Sequence, residues 1–135
     1  IETRGSARPC GQLGHPIEPQ VTVRLAVSGG PTSLTFWTVV LSAVVVAPIA
    51  EELMFRGYLA GALHRHGHGI ACLVSSALFG LLHGLDIALP LGLLGAFFYW
   101  LRVRFDGLAA PMIAHACHNG VTILLAVATP DTFGV

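Results

Sequence analysis

The chain has 135 residues, 54% of them hydrophobic and only 10% charged, and a mean hydropathy of +0.75. An ordinary soluble domain carries about 25% charged residues, so this composition reads as a membrane protein. Seven Arg balance seven Asp and Glu, and there is no Lys and no basic block, which argues against a nucleic-acid partner.

Residues 1–33 hold five Gly, four Pro, five charged residues and no long apolar run, so an irregular tail is expected there. This segment has no initiating Met and no basic-then-apolar order of a signal peptide, which reads as part of a longer chain. Four apolar segments follow, at about 34–63, 69–85, 89–103 and 108–128. Each approaches the roughly 20 residues that a helix needs to cross about 30 Å of hydrocarbon. HRHGHG at His64–Gly69, Gly84 with Asp86 and Pro90, and RFDG at Arg104–Gly107 separate them, and residues 129–135 form a short tail. The runs are too long for strands and lack period-2 alternation, and an open sheet edge in lipid would leave backbone groups unsatisfied. The expected fold is therefore all-α: a polytopic membrane helix bundle over residues 34–128 with about four spanning helices.

Gly57 and Gly61, and Gly80 and Gly84, have the small-xxx-small spacing that permits close helix contact. Cys10, Cys72 and Cys117 form neither a CxxC pair nor an even set, and the last two read as small core residues. Arg65, Arg102 and Arg104 collect at one end of the expected bundle while Arg4, Arg8 and Arg24 precede the first segment at the other, so charge leaves the orientation open.

The first segment contains APIAEELMFRGYLAG, in which Glu51, Glu52 and Arg56 interrupt an apolar run. Pro48 cannot donate to the Val44 carbonyl and is expected to kink the helix just before the charges. Glu52 and Arg56 are four apart and form an i, i+4 ion pair. Glu51 points about 100° away and has no local partner. Elsewhere His83 lies near the end of the second segment, and His115, His118 and Asn119 lie on the fourth. Each could be a satisfied core residue, but ionisable groups at membrane depth usually face a cavity or one another.

Depth brings several of them together. Glu51 is fourteen residues before Arg65, and His83 is fourteen after Gly69, so both lie about 21 Å from the same end of the bundle. With alternating helices, Asn119 lies about 18 Å and His115 about 12 Å from that end, on one face at i, i+4. His118 is then a spectator or an extra donor. His64, His66 and His68 read either as a solvated interfacial loop or as a metal-binding tract.

The ordered motifs Glu-Glu-x-x-x-Arg (Glu51, Glu52, Arg56), Phe-x-x-x-His (Phe79, His83) and His-x-x-x-Asn (His115, Asn119) resemble the CAAX protease and bacteriocin-processing family, also called the Abi family, of intramembrane proteases. The resemblance implies a larger fold of about eight helices and a peptidase site. In it Glu51 and His83 activate a water, His115 and Asn119 stabilise the oxyanion, and Glu52, Arg56 and Phe79 give support. A carboxylate in a low dielectric is a useful general base, and amide or imidazole N–H groups suit a developing oxyanion.

Family names that say metalloprotease leave zinc as a second mechanism, with Glu51, His83 and His115 as ligands, although HExxH is absent. No cofactor is otherwise expected. The implied partners are membrane lipid and a peptide or prenylated-protein substrate, and the implied location is the plasma membrane of a prokaryote. A non-catalytic membrane scaffold or immunity protein, or a proton or ion translocator, would also bury such groups.

Overall fold

The computed structural model describes residues 30–129, and the expectations for the earlier and later tail residues, Cys10 among them, lie outside these. The described residues form an all-α bundle of four helices, half the number that the family resemblance implies. We label them α1 (Leu34–His66), α2 (His68–Leu82), α3 (Leu85–Arg104, whose first turn Leu85–Ile87 is 3₁₀) and α4 (Ala109–Ala128).

Three of the four, α1, α3 and α4, are long and apolar enough to cross a membrane. The second expected span is shorter than the sequence suggests, because glycines with positive φ bound it on both sides. Gly67 (φ 98°) separates it from α1, and Gly84 (φ 115°) ends it after His83. Its 15 residues cover about 22 Å, less than the hydrocarbon thickness. Large apolar side chains such as Leu34, Leu73, Leu82 and Leu124 face outward, as lipid requires.

Helix α1 starts where the Ser33 hydroxyl accepts from the Phe36 N–H at 3.0 Å. It does not stay α-helical. Ser42–Val46 and Leu53–Leu59 are π-helical, on either side of the Ala47–Glu52 stretch that carries Pro48 and both glutamates. Proline explains the first π segment. Ala47 N–H reaches back five residues to the Ser42 carbonyl, and in that register residue 48 would serve Ala43, but Pro48 has no N–H. The unserved carbonyl is thus that of Ala43 rather than Val44, and the Asn119 side-chain amide on α4 donates to it at 2.8 Å.

Close approach of α2 and α3 depends on Gly80, where an added Cβ would collide with the Ala88 carbonyl and stand 2.8 Å from the Gly92 backbone nitrogen. The other three glycines singled out by spacing behave differently. Gly57 faces Leu108, Gly61 has no neighbour within reach of a Cβ, and Gly84 serves as the helix stop. The aromatic core is Phe55, Phe79 and Phe98 with Leu101, and a second cluster joins Ala60, Ala71 and Tyr99, with Cys72 against it. Cys117 is exposed and not a core residue, since two residues of helix turn it about 200° from the buried His115.

Candidate active site

The pieces of the site come from all four helices. The ion pair expected from spacing is present, with Arg56 Nη1 donating to Glu52 Oε1 at 2.9 Å and both side chains fully buried. Arg56 Nη2 donates to the Gly95 carbonyl on α3 at 2.9 Å. Its guanidinium also lies over the Phe79 ring at 4.4 Å, with Phe98 at 5.3 Å and Phe55 at 5.7 Å. Three aromatic faces and a carboxylate together offset the desolvation of the cation.

Glu52 does more than pair with Arg56. Its Oε1 also meets His115 Nδ1 at 3.0 Å, an α1–α4 contact across 63 residues of sequence. As a carboxylate it can only accept, so His115 carries its proton on Nδ1, and Nε2 of the neutral ring presents a lone pair. The same holds for His83, whose Nδ1 donates to the Phe79 carbonyl at 2.7 Å. Both Nε2 atoms face Glu51. Its Oε2 is 3.7 Å from His83 Nε2 and 3.8 Å from His115 Nε2, and it is buried without a hydrogen-bond partner. Phe79 stands among these groups, edge-on to His115 and tilted against His83, while Phe98 stacks on His115 at 4.9 Å.

With both rings neutral, two imidazole lone pairs and one carboxylate oxygen converge with no hydrogen between them. Acceptors so placed repel one another until an O–H donor or a cation comes between them. Among the described residues no group of three or more His, Cys, Asp and Glu is gathered so as to hold a metal ion, so the zinc ligand set expected from Glu51, His83 and His115 is not preformed. A water molecule can donate one hydrogen to Glu51 Oε2 and the other to one of the two imidazole nitrogens.

Depth reasoning placed Glu51 level with His83, and the two are adjacent. It erred on α4. His115, expected about 9 Å from the Glu51 level, touches Glu52, while Asn119 reaches Ala43, further along α1. The reason is that α4 does not begin at the level of the α1–α2 turn: Leu108 packs against Gly57, well inside α1. His118 is exposed and has no side-chain hydrogen bond among the described residues, so it adds no donor to the site. Sequence reasoning missed the Glu52–His115 contact and the parts played by Phe55, Gly95 and Phe98, which look like ordinary core residues of an apolar helix.

Comparison with known proteins fits this arrangement. The family model described as "Type II CAAX prenyl endopeptidase Rce1-like" matches residues 33–121, which include all three motifs. A Bacillus subtilis (strain 168) protein named "Putative membrane peptidase YdiL" is 32% identical over 83 residues, covering 60% of this chain and 34% of that protein. The chain thus matches about a third of the length of this curated relative. No solved structure matches the chain at a comparable level of significance. With a family match over most of its length and apolar helices able to span a bilayer, the chain is an integral membrane protein that belongs to the Rce1-like family of type II CAAX prenyl endopeptidases.

Proposed function

We propose that these helices carry the catalytic centre of an intramembrane endopeptidase that hydrolyses a peptide bond of a peptide or prenylated-protein substrate, in the plasma membrane of a prokaryote. The supporting observation is the convergence of His83 Nε2 and His115 Nε2 on the unpartnered Oε2 of Glu51. The family and the bacterial relative support the substrate class and the compartment.

In this reading a water sits between Glu51 Oε2 and His83 Nε2. Its oxygen adds to the scissile carbonyl carbon as one proton passes to the Glu51 carboxylate. Negative charge then collects on the former carbonyl oxygen. Asn119 uses one amide hydrogen on the Ala43 carbonyl and has the second for the oxyanion. Because His115 Nδ1 is committed to Glu52, this ring donates from Nε2 only as an imidazolium, with Glu52 as its counter-ion. The C–N bond breaks as the proton held on Glu51 moves to the leaving amine, which restores the carboxylate. Buried in a low dielectric, each of these charge interactions is stronger than in water.

The test is cleavage of a membrane-embedded reporter peptide by the full-length protein in vesicles made in ¹⁸O-water. One ¹⁸O should enter the new C-terminal carboxylate, and His83→Ala should slow cleavage by about 10² or more. Cleavage without label, or an unslowed His83→Ala protein, would refute the hydrolytic reading.

Asn119 has a bridging contact and a proposed catalytic part, and the two are separable. Asn119→Ala should lower kcat by about 10² to 10³ through loss of an oxyanion donor. It should also cost about 1 to 2 kcal/mol of stability, because the Ala43 carbonyl loses its donor. Adding Pro48→Ala returns an N–H to the helix and should recover the stability but not the rate. If the double variant regains full kcat per folded molecule, Asn119 only bridges helices.

A further inference from the structure

A second group of polar side chains lies away from Glu51, around the turn between α1 and α2. His64 and His68 are both exposed, and their Nε2 atoms stand 3.0 Å apart. A straight N–H···N bond between two imidazoles would place the ring centroids about 5.3 Å apart, once the distance from ring centre to nitrogen is added at each end. The centroids are 4.3 Å apart with the rings at 83°, so the two Nε2 axes are bent toward a common side. Two imidazoles bound to one tetragonal ion at about 2.1 Å and a right angle would have nitrogens about 3.0 Å and centroids about 4.6 Å apart.

The rest of the surroundings suit the same arrangement. Nδ1 of His68 is 3.0 Å from the hydroxyl of Tyr99, a nearly buried residue of α3. A metal-binding imidazole usually donates its second N–H to a fixed acceptor, which holds the ring and leaves the other nitrogen free to ligate, and the Tyr99 hydroxyl is placed to be that acceptor. His66 is not a third ligand, because its Nε2 accepts from Arg65 Nε at 3.0 Å. Both rings of the pair reach water, which can fill the remaining coordination positions.

We propose that His64 and His68 form a two-imidazole site, oriented by Tyr99, for a divalent transition-metal ion that prefers right-angled tetragonal coordination, such as Ni²⁺. The ion bridges the end of α1 and the start of α2 across Gly67, and through Tyr99 it is coupled to α3. This site is separate from the Glu51 centre and does not depend on the proposed peptidase reaction.

Calorimetric titration of the full-length protein, purified without a histidine tag and in detergent, with Ni²⁺ tests it. One saturable site should be seen that loses at least tenfold in affinity in His64→Ala and in His68→Ala, and about tenfold in Tyr99→Phe. The same site should persist in Glu51→Gln and in His83→Ala, which separates it from the other histidines. X-ray absorption of bound Ni²⁺ should show two imidazole nitrogens at about 2.1 Å. Unchanged affinity in both histidine variants, or no saturable binding, would overturn the proposal.

Discussion

Glu51→Gln should remove most peptide hydrolysis, by about 10² to 10⁴ in rate, while leaving the protein folded. Glutamine keeps the shape of the side chain but cannot take a proton from water. It also brings N–H donors toward the Nε2 lone pairs that lie 3.7 and 3.8 Å from Glu51 Oε2. The variant should therefore melt at the same temperature as the parent or higher. Cleavage of a reporter peptide in vesicles and a thermal melt in detergent give the two readings. Undiminished cleavage would exclude Glu51 as the base, and a large fall in melting temperature would show that its charge holds the helices together.

Arg56→Ala should act in the opposite way and destabilise the fold by about 3 to 5 kcal/mol, the usual cost of breaking a buried ion pair by removing one partner. Three consequences follow from that single change. Glu52 is left buried without its cation, the Gly95 carbonyl loses a donor, and the space between Phe55, Phe79 and Phe98 is emptied. Because Glu52 also orients His115, the surviving folded protein should be slow as well. Lysine is a poor replacement, since a single ammonium cannot reproduce the two divergent bonds of the guanidinium. Folded yield and melting temperature, compared with those of Glu51→Gln, provide the check; equal values for the two variants would count against the pair as a structural support.

Much of this was legible in sequence for local reasons. An i, i+4 spacing places Glu52 beside Arg56 on any helix, a long apolar run without charges suits lipid, and glycines at His64–Gly69 and at Gly84 mark places where the backbone leaves the helical region. Even the adjacency of Glu51 and His83 could be estimated, because α1 and α2 share a turn and residues can be counted from it. The estimate failed for α4, whose start sits against Gly57 and not at that turn, so His115 meets Glu52 while Asn119 passes on to Ala43.

By itself the sequence determined that this is a helical membrane protein, which residues are its polar exceptions and which two of them pair along one helix. These depend on composition and on the 3.6-residue period, both properties of nearest neighbours in the chain. Only the tertiary structure decided that Glu52 holds His115, that both imidazoles turn Nε2 toward Glu51, and that Asn119 serves the carbonyl left over by Pro48. Those outcomes depend on the relative heights of helices, settled by side-chain packing between segments far apart in the chain, and on a π register of five residues instead of four beside Pro48, which the 3.6-residue period does not show.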